Sequence, residues 1–122
     1  MAEAWHAVAM DATSGVFELR TYTPSPGKLE ALEARFRDHT IDLFARHGLQ
    51  VIGFWRSITA SEEPKLVYVL RFPSQEAVST SWDAFRADPD WIEARGNSEV
   101  DGPLAAAIES VFMEATDYSP LT

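Results

Sequence analysis

Val16-Phe17-Glu18-Leu19-Arg20-Thr21-Tyr22-Thr23-Pro24-Ser25-Pro26-Gly27-Lys28-Leu29 changes conformational character twice. Val16 to Tyr22 alternates and is rich in β-branched and aromatic residues, as a half-buried strand is. Thr23 to Gly27 then breaks it, with Ser25 placed to cap a helix and Pro26 to occupy its first position. The helix expected beyond runs to Arg46, carrying Leu29, Leu32, Phe36, Thr40, Leu43 and Phe44 at spacings of three and four. Arg46, His47 and Gly48 should end it, with positive charge in the last turn, His47 assisting the helix C-terminus and glycine just beyond.

Outward from this strand–turn–helix the same signals recur. Leu49 to Ile58 reads as a second strand, 59–64 as a polar turn and Lys65 to Phe72 as a third strand, so the two form a hairpin. Ser74 caps a second helix whose apolar positions are Ala77, Val78, Trp82 and Phe85. Asp88-Pro89 interrupts it, and Pro89 opens a short helical piece through Arg95. Gly96 to Pro103 reads as loop and Ala107 to Ala115 as a last strand. The order β-α-β-β-α-β is that of an α+β, ferredoxin-like fold, a four-stranded antiparallel sheet with two helices on one face. Residues 1–15 lack a sustained period and read as a flexible N-terminal arm or tag-like extension before a domain spanning 16–122.

Composition sets limits on function. The chain has 122 residues, 46% hydrophobic and 24% charged, and no Cys. It has the size of one soluble domain, and disulfide, thiolate and Cys-based metal chemistry are excluded. No apolar run approaches the roughly 18 residues of a membrane span, and the start lacks the order of a signal peptide, so a cytoplasmic location is expected. The net charge is -9, which repels nucleic acid and anionic membranes. Residues 83–122 hold nine acidic residues against two arginines, a solvated face or a docking surface for a basic partner.

The strand faces carry a further expectation. Two helices cover one face of the sheet, and the other should then be polar. Instead, Leu66, Tyr68, Leu70 and Phe72 oppose Val67 and Val69; Val51 and Trp55 oppose Ile52, Phe54 and Ile58; Ile108 and Phe112 oppose Val111 and Met113. A second copy packed face to face is the simplest cover. At about 25 cal/mol per Å², burying roughly 800 Å² per partner removes on the order of 20 kcal/mol before association costs. Folding the arm and residues 88–104 over the sheet is the alternative, but neither has a strong apolar period.

The opening stretch, Val16 to Leu29, resembles the "YELRTYxxxPGK" signature of NIPSNAP-domain proteins. Arg46-His47-Gly48 followed by Val51 to Trp55, then Asp88-Pro89-Asp90-Trp91, then Asp117-Tyr118-Ser119-Pro120-Leu121, resemble later passages of that family in the same order. Lys65 to Tyr68 lacks the family's usual Asn and His. The resemblance implies a dimeric α/β barrel and leaves activity open, since relatives sharing the barrel include cofactor-free monooxygenases, lactone isomerases, dye-type peroxidases and chlorite-degrading haem enzymes.

Candidate site residues are few. His39, at the edge of the first helix's apolar stripe, is a candidate general base, or else a half-exposed surface histidine beside Asp38, Asp42 and Arg35. Tyr68 is the other candidate for proton removal. Trp55, Tyr68 and Trp82 are candidate stacking walls for an aromatic ligand, with Arg20, Tyr22 and Arg56 as polar anchors, Arg20 or Arg56 stabilising an enolate. Strand and helix aromatics are also ordinary core. His39 and His47 are too far apart in sequence for one metal-binding turn, and a single histidine is a weak signal for haem, so no metal and no cofactor are expected. The function expected is a homodimer binding a small, largely apolar organic molecule, either as a cofactor-independent oxygenase or isomerase acting on a carbon acid or as a non-catalytic binding or interaction module.

Overall fold

The computed structural model describes residues 15–58 and 62–122. The expected arm therefore lies, apart from Gly15, outside the described residues, as do positions 59–61 of the expected polar turn. Strands β1 (Val16–Pro24), β2 (Gln50–Arg56), β3 (Leu66–Phe72) and β4 (Ala105–Met113) form one sheet in the order β2-β3-β1-β4, with every neighbouring pair antiparallel. Helical segments α1 (Leu29–Arg35) and α2 (Ile41–Arg46) are joined by a π-helical turn (Phe36–Thr40), and α3 (Gln75–Ala87) and α4 (Pro89–Ser98) follow β3. This is the α+β, ferredoxin-like arrangement read from the sequence. Among the described residues no helix is long and apolar enough to cross a membrane.

The core lies between sheet and helices. Tyr22, Leu66, Tyr68, Leu70 and Phe72 from the sheet meet Leu32, Phe36, Leu43, Phe44, Trp82 and Phe85 from the helices. The π-helical turn has a sequence cause. Leu32, Phe36, Thr40 and Phe44 recur every four residues, a stripe that drifts by about 40° per step around a 3.6-residue helix. A wider turn resets the stripe onto the core, and the buried Thr40 hydroxyl donates to the Arg35 carbonyl at 3.2 Å, five residues back.

Several local expectations are corrected. The first helix begins at Leu29, not Pro26, and Ser25 does not cap it. The Ser25 hydroxyl donates to the Pro103 carbonyl at 2.7 Å and its amide to the Leu104 carbonyl at 2.8 Å, tying the end of β1 to the entry of β4. The Lys28 amide closes a turn on the Ser25 carbonyl, and Gly27 takes φ +77°, which a side chain would resist. The piece opened by Pro89 runs to Ser98 rather than Arg95, and β4 begins at Ala105 rather than Ala107. In β2, Val51 faces Leu70 while Gly53 faces Val69, so Ile52 is an extra residue forming a bulge. The bulge reverses the alternation. Val51 and Phe54 both pack against the core, and Trp55 falls on the opposite face with Val67 and Val69, so Val51 and Trp55 do not share a face.

The face away from the helices is mixed rather than uniformly apolar. Register puts Leu19, Val69, Val111 and Met113 there, but also Thr21, Arg71 and Glu109, and the Arg71 guanidinium lies 5.9 Å from the Phe17 ring. β4 is a special case. From Ala106 to Met113 it is exposed on both faces, with Ile108, Val111 and Phe112 each about half accessible.

His47 is the C-cap residue of α2, as expected, and its side chain also reaches the start of α4. Its Nε2 lies 2.7 Å from Asp88 Oδ2, and Arg46 Nη1 donates to the same oxygen at 2.8 Å. Asp88 Oδ1 accepts the Asp90 amide at 2.8 Å, capping α4. The His47 hydrogen bond first, then the Asp90 amide and Arg46, hold the Asp88 carboxyl down at about 2 against the opposing effect of burial. A carboxyl depressed by folding stabilises above its unfolded value, near 4, and loses that contribution as pH falls through about 2. Thermal melting is therefore expected to show an acid-side loss of stability across that window, and Asp88→Asn should flatten it.

Candidate functional site

On β1, Glu18, Arg20 and Tyr22 alternate onto the face covered by the helices, opposite Leu70, Tyr68 and Leu66 of β3. A strand places successive residues on opposite sides, so this triplet forms one polar line within the aromatic core. Glu18 is buried, yet each of its oxygens is used. Oε1 accepts the Trp82 indole N–H at 2.8 Å, and Oε2 accepts the Ser110 hydroxyl at 2.6 Å and Arg20 Nη1 at 2.9 Å. Arg20 Nε donates to the Tyr68 hydroxyl at 2.8 Å and Nη2 to the Tyr22 hydroxyl at 3.2 Å, and the two hydroxyls are themselves 3.2 Å apart. The guanidinium stacks on Trp82, 4.4 Å from a ring centroid.

The electrostatics follow from this packing. Burial works against the Arg20 charge, but the surrounding Tyr68 and Tyr22 oxygens and the Glu18 carboxylate outweigh it and raise its pKa above the ordinary arginine value. Arg20 is thus a fixed cation. The Tyr68 phenol is raised well above 10, chiefly by burial and then by Tyr22, with Arg20 opposing. Burial thus favours the neutral phenol and works against the proton-accepting role expected of Tyr68. Phe54 stacks on the Tyr68 ring at 4.6 Å, and Phe36 and Phe44 meet it at 5.2 and 5.9 Å, which fixes the hydroxyl's direction.

The structure therefore gathers Arg20, Tyr22, Tyr68 and Trp82 and leaves the other candidates elsewhere. His39 is exposed on the π-helical turn and lines a groove of about 590 Å³ between the first helix and α4, together with Asp38, Asp42 and Glu93. There it is the surface histidine of the plainer expectation, on the outer side of the helix layer. Arg56 pairs with Glu33, and with the half-exposed Trp55 it lines a separate groove of about 320 Å³ at the β2 edge. The Trp55 ring lies over Gly53, where an added Cβ would come within 2.8 Å of it.

Two members of the cluster, Glu18 and Ser110, escaped the sequence reading. A signal for Glu18 existed, since alternation places it on the Arg20–Tyr22 face of a strand bracketed by Phe17 and Leu19. For Ser110 there was none, because its pairing opposite Arg20 is set by the long-range register of β4 on β1. The cluster is not fully closed. The Arg20 side chain remains 14% accessible, and on the same side of the sheet stand Ile108, Ser110 and Phe112, opposite Tyr22, Arg20 and Glu18.

The family model for NIPSNAP matches residues 17–120. The chain belongs to the NIPSNAP family. No curated protein matches this NIPSNAP chain. Among solved structures, it is similar to a NIPSNAP family protein of unknown function from Agrobacterium tumefaciens, with 23% identity and TM-score 0.76 over 90% of this chain and 96% of that one. An uncharacterised NIPSNAP-like domain protein from Burkholderia xenovorans superimposes with TM-score 0.75 at 17% identity, over 88% and 90% of the two chains. SnoaB, a cofactor-independent oxygenase from Streptomyces nogalater, gives TM-score 0.56 at 16% identity, over 88% of this chain and 98% of its own. At these identities the structural matches establish a shared fold.

Proposed function

We propose that this NIPSNAP chain is a cytoplasmic homodimer that binds a small, largely apolar organic molecule beside Arg20, between the helix layer and β4. The observation carrying this reading is a cation set in an aromatic wall and partly open next to an apolar strand exposed on both faces. A second copy covering β4 would enclose that opening and bury Val111 and Met113. The net charge of -9 argues against nucleic acid or an anionic membrane as the partner.

In the enzyme reading the protein is a cofactor-independent oxygenase or isomerase acting on a carbon acid. Arg20 binds both tyrosine hydroxyls, and the guanidinium and phenolic hydrogens left over are suited to holding an enolate oxygen; the fold shared with SnoaB supports that chemistry. One observation favours the alternative, a non-catalytic binding or interaction module. Burial favours the neutral Tyr68 phenol, the Glu18 oxygens already accept three donors, and His39 lies on the outer side, so the cluster offers no ready proton acceptor.

Native mass spectrometry and sedimentation velocity on the full chain test the proposal. The expected result is a dimer carrying or accepting a small molecule, with Val111→Arg shifting it to monomer. A wild-type protein that stays a single subunit at micromolar concentration would overturn the dimer. Oxygen uptake or α-deuterium exchange with an enolisable aryl ketone separates the two functional readings, since a binding module shows neither.

A further inference from the structure

Resting on that binding site, we propose that it selects an uncharged ligand bearing an oxygen acceptor, a ketone or a phenol ether rather than a carboxylate, and that Glu18 sets this selection. The first half comes from the hydrogen inventory. Arg20 carries five N–H groups. Three have acceptors: Nε on Tyr68, one Nη1 hydrogen on Glu18 and one Nη2 hydrogen on Tyr22. Tyr22 and Tyr68 share one hydrogen bond in which only one hydroxyl donates, so the other phenolic hydrogen has no acceptor among the described residues. Two guanidinium hydrogens are in the same position. Glu18 is the cluster's one carboxylate, and it already accepts from Trp82, Ser110 and Arg20. Buried donors seek acceptors, so a ligand entering beside Arg20 gains most by presenting an oxygen lone pair.

The second half comes from charge. Arg20 alone would attract a carboxylate. Glu18 Oε2 sits 2.9 Å from Nη1, and its side chain is only 2% accessible, so the pair is close to neutral as a unit. A carboxylate reaching the remaining Nη hydrogens would lie near a second, poorly screened carboxylate and lose its own hydration. A carbonyl oxygen meets the same hydrogens without that repulsion. The body of such a ligand is apolar, because the strand beside the opening presents Ile108 and Phe112.

Three probes of one shape test the inference by calorimetric or NMR titration of the full-length protein: tetralin, α-tetralone and tetralin carboxylate. α-Tetralone is expected to bind at least about tenfold tighter than tetralin, the gain from hydrogen bonds to a charged donor, with the carboxylate weaker than the ketone. Glu18→Gln should reverse the last comparison and make the carboxylate the tightest of the three. Arg20→Lys, which keeps the charge but carries three N–H groups in place of five, should weaken α-tetralone and leave tetralin unchanged, and it serves if Glu18→Gln does not fold. Equal binding of all three probes, or wild-type preference for the carboxylate, would overturn the inference while leaving the small-molecule site standing. Failure of every probe to bind would overturn the site itself.

Discussion

Glu18→Ala is expected to lower the unfolding free energy by about 3–5 kcal/mol, among the largest losses a single substitution can cause here. The variant leaves the Arg20 guanidinium in the core without its anion, and it strips the acceptor from the Trp82 indole and the Ser110 hydroxyl. Breaking one half of a buried pair costs more than the pair contributes, because the remaining charge stays desolvated. Urea unfolding with a double-mutant cycle isolates the cause. Arg20→Met in the Glu18→Ala background should recover part of the loss, since it removes the stranded cation and keeps an apolar stem against Trp82. A Glu18→Ala variant within about 0.5 kcal/mol of wild type would show that the cluster is solvated and would remove the physical basis of the proposed site.

Phe44→Ala is expected to cost about 3–5 kcal/mol by a different route. Phe44 is 1% exposed and lies at the junction of helices and sheet, with ring centroids of Phe85, Trp82, Tyr68 and Phe36 at 5.0, 5.6, 5.9 and 6.4 Å. Four rings on three separate elements (α3, β3 and the π-helical turn) cannot collapse into the space together, so the cavity persists. For a domain of this size the melting temperature should fall by on the order of 10–20 °C, measurable by differential scanning calorimetry. The same variant loosens the wall behind Tyr68, so the near-ultraviolet circular dichroism of the aromatic cluster should weaken before global unfolding. Unchanged melting would mean that Phe44 does not hold the two layers together.

Much of this molecule was legible because its signals are local. Alternation in Val16 to Tyr22, the Ser74 cap of α3 and the Asp88-Pro89 start of α4 each act within a few residues, and each appears where expected. The Ser25 cap failed because the helix starts only at Leu29 and the Ser25 hydroxyl is turned to donate to the Pro103 carbonyl, far along the chain, so its oxygen receives no helix amide. The Val51–Trp55 face assignment failed because a single extra residue, Ile52, inverts every later side chain on an edge strand, and no local rule announces a bulge. His39 kept its helical position, but which side of the layer it occupies depends on the π-helical turn and on where α4 packs.

Residue order by itself determined the β-α-β-β-α-β succession and the polar line Glu18, Arg20, Tyr22 on one strand face. Those properties follow from backbone sterics and from periods of two and near four, which operate between near neighbours. Only the tertiary structure decided that Tyr68, Trp82 and Ser110 close around that line, that burial favours the neutral Tyr68 phenol and that His39 is left outside. Those outcomes depend on strand register and on desolvation, and both are properties of groups brought together from distant parts of the chain.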